Sequence, residues 1–172
     1  NAIIEQEIHV HIYASRNTAS DSAFIDPSYK EGKKLLNSEY FHLHEPLDPM
    51  GIIKEISKYD FGLLLPSEPI PQDHPEMGGF STSNKISSYL EAGIPLIYYD
   101  KYISIHEIMK KHGLDVRLGD IEDVINLKKR LRRLNYKELE RRVIKARQDF
   151  LMEKQFPRLE KFMRNVVIRK KL

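Results

Sequence analysis

The run Phe61-Gly62-Leu63-Leu64-Leu65, halted by Pro66, constrains the fold of this chain more than any other feature. It is too short for a helix and has no polar alternation, and the proline that follows cannot donate to a ladder. Such a run marks a strand buried on both faces, which is the situation of a central strand in a parallel sheet covered by helices. The surrounding segments agree. Ile8 to Tyr13 alternates apolar and polar residues with β-branched side chains, Tyr40 to His44 repeats the pattern, and Ile94 to Tyr99 and Asp115 to Leu118 return as strands.

Helical signals fall between these strands. Asp48-Pro49 pairs an N-cap with a first-turn proline, and Ile52, Ile53 and Ile56 then form one apolar stripe. Ser83 to Ala92 carries Ile86, Tyr89 and Leu90 on one face and ends at Gly93. Further helices are predicted over Ser104 to Lys111 and over Ile121 to Leu134, the latter with a stripe of Ile121, Val124, Ile125, Leu131 and Leu134. A short helix is expected between Asp26-Pro27 and Leu36, and the tail from Lys137 reads as two helices separated near Phe156-Pro157. The alternation predicts an α/β fold with a Rossmann-like parallel sheet, helices on both faces and a helical C-terminal tail.

The 172 residues suffice for one domain with a real core, and the 41% hydrophobic and 31% charged residues are those of an ordinary globular protein. One domain over residues 3–172 is expected, with Asn1-Ala2 as a cloning scar and the missing initiator Met pointing to a piece of something longer. The absence of cysteine excludes disulfides, thiolate metal sites and a cysteine nucleophile, and leans towards a cytoplasmic setting. No apolar run approaches the roughly 20 residues of a membrane span. The net charge of +3 is modest, but cations concentrate between Lys128 and Lys171. Acids are interleaved among them, so a solvated helix surface is the plainer reading; an anionic membrane face is the alternative partner, and nucleic acid is not expected.

In a parallel sheet, ligands bind at the carboxyl ends of the strands, so the loops after Tyr13, His44, Leu65 and Tyr99 should share a rim. The most informative stretch runs from Gly78 to Ile97. Gly78 and Gly79 let backbone N–H groups approach an anion, Thr82 and Ser83 can cap the next helix, and Lys85 adds a cation in its first turn, where the helix dipole is positive. Together they suggest a diphosphate cradle, though glycines before a capped helix are also commonplace. Ser15 and Arg16 follow the first strand and suit a phosphate. Glu45 lies similarly after the second. Asp73, His74 and Glu76, in the long loop from Pro66 to Thr82 with its four prolines, are candidates for proton transfer or hydroxyl contact, or simply solvated loop charges.

His9 with His11, and His42 with His44, are H-x-H pairs on single strand faces. Such spacing can hold a metal, but no carboxylate spacing supports a site, so polar sheet-face histidines are expected and no metal. The chain lacks a G-x-G-x-x-G after a strand, a Walker A sequence and a G-x-S-x-G, so dinucleotide oxidoreductase, P-loop kinase and serine hydrolase readings lack their signatures.

Asn84-Lys85-Ile86, then Tyr89-Leu90, then Ala92-Gly93-Ile94-Pro95-Leu96-Ile97 resembles the pattern of bacterial and archaeal group-1 glycosyltransferases of the GT-B fold, and the strand Phe61 to Pro66 is similar to the one preceding their donor site. Order and spacing agree across Ile8 to Tyr99, and the tail resembles the helices that close that fold. The resemblance implies the carboxyl-terminal half of such an enzyme, binding a nucleoside-diphosphate sugar as substrate with no cofactor. Ser83, Asn84 and Lys85 would contact the donor, and a missing amino-terminal domain would bring the acceptor. The paired acids of many members are absent, Phe80 and Ser88 standing in their places, which argues against a retaining mechanism using those acids. A non-catalytic binding or assembly module, or another nucleotide-sugar enzyme of the same fold, is the competing expectation.

Overall fold

The computed structural model describes residues 1–13, 35–65 and 83–169. The expected helix after Asp26-Pro27 and the loop from Pro66 to Thr82 fall mainly or wholly outside them. The described residues carry the predicted α/β class: parallel strands in open sheets, helices between them and a helical carboxyl-terminal end, a Rossmann-like arrangement. The chain divides into two compact units, the first from Asn1–Glu55 with Leu118–Leu134, the second from Ile56–Arg117 with Asn135–Leu172.

In the first unit a 3-10 turn over Ile4–Gln6 precedes β1 (Val10–Tyr13), which pairs in parallel with β2 (Phe41–His44), His11 lying opposite His42. The imidazoles of the two strands form a ladder. His9 Nδ1 lies 2.9 Å from His42 Nε2 and His11 Nδ1 lies 2.9 Å from His44 Nε2, while the rings of His11 and His42 stack with centroids 4.3 Å apart. In each bonded pair one ring must donate and the other accept, so at most one of the two can be imidazolium without breaking the bond. Beyond β2, Asp48 caps α1 (Pro49–Ile56) as predicted, its Oδ1 accepting from the N–H groups of Met50 and Gly51 at 3.0 Å. The Tyr13 hydroxyl donates to Glu55 on that helix at 3.2 Å.

The long helix expected from Ile121 is broken into α4 (Ile121–Ile125) and α5 (Leu127–Leu131). The cause is Gln6. Its side-chain amide donates to the carbonyl of Val124 at 2.7 Å and accepts from the N–H of Lys128 at 2.9 Å, so it occupies the two groups that a continuous helix would join to each other. The predicted stripe is kept only in part: Ile121 and Ile125 are exposed, Val124, Leu131 and Leu134 are half-buried, and Leu127 is buried.

The second unit holds β3 (Gly62–Leu64), α2 (Lys85–Ala92), β4 (Leu96–Tyr99), α3 (Ile103–Lys111) and β5 (Val116–Leu118), with strand order β3-β4-β5 and Gly62 opposite Leu96 in a parallel pair. α2 is seated by its inward face. Ile86 and Leu90 are buried, the Tyr89 ring lies over Gly62, and the Tyr89 hydroxyl donates to the carbonyl of Leu63 at 3.3 Å. A Cβ at residue 62 would sit 2.4 Å from the Tyr89 ring, so only glycine admits this contact. Gly93, at φ +79°, ends the helix in the left-handed conformation, its N–H bonded back to Leu90 and Tyr89. Tyr98, fully buried, donates to Asp115 at 2.8 Å and lies 3.1 Å from His106 Nδ1, and Arg117 pairs with Asp115 at 2.6 Å. Burial and the Asp115 carboxylate push the Tyr98 hydroxyl far above its ordinary pKa, so it stays protonated and donating.

The tail forms α6 (Tyr136–Asp149), which packs on α2 and buries Leu139, Val143 and Ala146, and α7 (Met152–Arg169). The break between them comes at Phe150-Leu151, earlier than predicted, and Pro157 lies inside α7. The side chain of Gln155 donates to the carbonyl of Asp149, and the N–H groups of Lys154 and Gln155 bond to Leu151, so the new helix starts there and absorbs one missing donor at the proline. Among the described residues no helix is long and apolar enough to cross a membrane.

Gly62→Ala should lower unfolding free energy by about 1–3 kcal/mol in chemical denaturation, because the added methyl overpacks against Tyr89. The ladder gives a pH dependence. Burial first, then the charges of His42, His44 and His9, hold His11 below the ordinary value of 6.5, with Glu55 opposing them. The unfolded chain therefore takes up more protons there, and stability present above pH 6.5 should be lost as pH falls below it. Thermal melts across that range should show the loss, and it should be smaller in His11→Phe, which keeps the stacking and removes the titrating group.

Candidate functional site

Parallel pairing of β3 with β4 makes α2 return against the strand direction, so its first turn lies at the carboxyl end of β3, on the rim where α/β sheets bind ligands. Three residues predicted for the site stand there. Ser83 Oγ accepts from the N–H of Lys85 at 3.3 Å and the Ser83 carbonyl accepts from Ile86 at 3.1 Å, so Ser83 organises the turn. Asn84 makes no side-chain cap bond, and Asn84 and Lys85 are both exposed. The helix start thus combines backbone donors, an exposed amide and an ammonium, which is the chemistry an anion requires. Gly79, Thr82, Ser15 and Arg16, along with Asp73, His74 and Glu76, lie outside the described residues. Glu45 follows β2 in the other unit and is exposed.

A further rim residue was not singled out from sequence. Asp100 directly follows β4, and its Oδ1 is buried without a hydrogen-bond partner among the described residues, while Oδ2 lies 3.9 Å from Lys101 Nζ. A buried carboxylate oxygen with no donor is costly, and a ligand hydroxyl would satisfy it. The signal in the sequence was its position alone, an acid immediately after a strand. Position names many residues, whereas among the described residues burial without a partner names one.

The four histidines come together as their spacing allowed, but they bond to one another. Among the described residues no group of three or more His, Asp or Glu side chains is placed to hold a metal ion.

A family profile described as "Glucosyltransferase 3-like, C-terminal domain" matches residues 9–158. Glucosyltransferase 3 of Streptococcus gordonii is 33% identical over 94 residues, which take in 55% of this chain and 28% of the relative's length. The chain therefore corresponds to a minor part of that protein. All five strands, α1 to α6 and the rim residues Ser83, Asn84, Lys85 and Asp100 lie inside the matched span, and the chain belongs to the glucosyltransferase 3-like C-terminal domain family, a glycosyltransferase-related family.

Proposed function

We propose that this chain is the donor-binding half of a GT-B, group-1-like glycosyltransferase, holding a nucleoside-diphosphate sugar while a separate amino-terminal domain brings the acceptor. The observation that carries the reading is the first turn of α2, seated at the β3 rim by the Gly62–Tyr89 contact, with Asn84 and Lys85 exposed beside its backbone donors. As the bond from the sugar to the diphosphate breaks, negative charge grows on the leaving phosphate. Fixed N–H dipoles and the Lys85 ammonium stabilise that charge without reorganising. Asp100 accepts a hydroxyl of the sugar with its otherwise orphaned oxygen. The name of the Streptococcus gordonii relative, Glucosyltransferase 3, makes glucose the first sugar to test.

The exposed apolar face of α7, with Met152, Phe156, Phe162 and Met163 each more than half exposed, favours a second reading, that of an assembly module without nucleotide affinity.

Calorimetric and thermal-shift titrations with UDP, GDP, ADP and dTDP and their glucose conjugates separate the two readings. Saturable binding, weakened about tenfold in Lys85→Ala, is expected of a donor site. Asp100→Asn should weaken the sugar conjugate more than the bare diphosphate. Absence of binding by all of them, at concentrations on the order of millimolar, would favour the assembly module.

A further inference from the structure

We propose that a second, basic cavity in the first unit binds a phosphate-bearing anion with at least two negative charges. This goes beyond the donor-site reading and does not rest on it. The cavity, of about 390 Å³, lies where the 3-10 turn meets α4 and α5, and it is lined by Gln6, Ile125, Lys128, Lys129, Arg132 and Arg133, together with Asn126. Its volume is that of a site for a small organic ligand, larger than a bare phosphate needs.

Three features set it apart from an ordinary solvated helix face. The cations are not neutralised locally. Elsewhere in the tail, Arg141 and Arg142 pair with Glu138 and Arg164 pairs with Glu160. Here, among the described residues, the carboxylate ion-paired with a lining cation is Glu7, bonded to Lys128 at 2.7 Å and held below the usual carboxylate range chiefly by that bond. Lys129 and Arg133 have no ion pair among the described residues. The backbone beneath them is also held in place. Gln6 fixes the backbone of Lys128 at the helix break, and the N–H of Arg133 bonds to the carbonyl of Arg130 in the turn that ends α5, with Lys129 and Arg133 both lining the cavity. Finally, the wall is mixed: Ile125 is 54% exposed although apolar, and it lies beside the alkyl stems of the cations. Concave surfaces of one sign focus potential and gather counter-ions, and arginine adds two-pronged recognition of phosphate oxygens. The fitting ligand has a phosphate or diphosphate group and an organic body that rests on Ile125. Either a soluble phosphate ester or an anionic lipid headgroup supplies that chemistry.

The test uses the full chain, inorganic pyrophosphate, and phosphatidylcholine vesicles with and without phosphatidic acid. To separate this cavity from the α2 turn, pyrophosphate is titrated into Lys85→Ala. We expect saturable binding that survives in Lys85→Ala and falls about tenfold or more in Lys129→Gln/Arg133→Gln, while Lys137→Gln/Lys145→Gln, which removes the same charge from α6, changes it little. Pyrophosphate binding without vesicle capture identifies a soluble ligand. Capture that requires phosphatidic acid and is competed by pyrophosphate identifies a headgroup. In the wild-type chain, the Ile125 methyl resonances should shift during the titration, a readout independent of how any variant folds. Failure of both probes to bind, equal loss in the α6 control, or pyrophosphate shifts that spare Ile125 would overturn the proposal.

Discussion

The contact between Gly62 and the Tyr89 ring is the constraint on which the second unit depends. A side chain at residue 62 would push α2 away from β3, and the same helix buries Ile86 and Leu90 and packs against α6. Everything at the rim is positioned through it. The Tyr89 hydroxyl bond to Leu63 fixes the rotation of the helix, Gly93 turns the chain into β4, and Asp100 is delivered at the far end of that strand. The exposed first turn takes its side-chain support from Ser83, while Asn84 makes no cap bond, so Asn84 and Lys85 are presented at the surface.

Polar aromatic groups do much of the structural work that aliphatic side chains do in other sheets. Tyr98 is fully buried and ties His106 on α3 and Asp115 before β5 to the central strand. In the first unit the imidazoles of β1 and β2 bond and stack in register. Each arrangement bonds its polar groups to one another, and each is directional where packed methyl groups would not be. That directionality gives a sheet of short strands a definite register.

Features that depend on neighbouring residues were legible in the sequence. The capped start of α1 at Asp48-Pro49, the buried run at Gly62–Leu64, the end of α2 at Gly93 and the α/β class all follow from local patterns. Ser83, Asn84 and Lys85 were found because a helix start after a strand is visible as such. The misreadings came from side chains acting on distant backbone. Gln6 breaks the helix after Ile121 from more than a hundred residues away in sequence, and no periodicity within 121–134 records that. The tail was divided at its proline because a proline within a helix costs a donor, yet Gln155 and Leu151 favour an earlier start strongly enough for Pro157 to be carried inside. Asp100 was passed over because what distinguishes it is the burial of one oxygen.

The amide of Gln6 also bears on the order in which the protein can be made. The first unit is discontinuous, drawing on residues 1–55 and 118–134. On the ribosome, β1 and β2 emerge ahead of the second unit's sheet, but the backbone groups of Val124 and Lys128 that Gln6 must meet are synthesised only after β3, α2, β4, α3 and β5. The second unit's sheet is thus complete in sequence before the first unit can close. Until then the 3-10 turn has no partner in helix α4 or α5, and a nascent chain stopped short of Lys128 would carry a segment around Gln6 that is translated but not yet structurally committed.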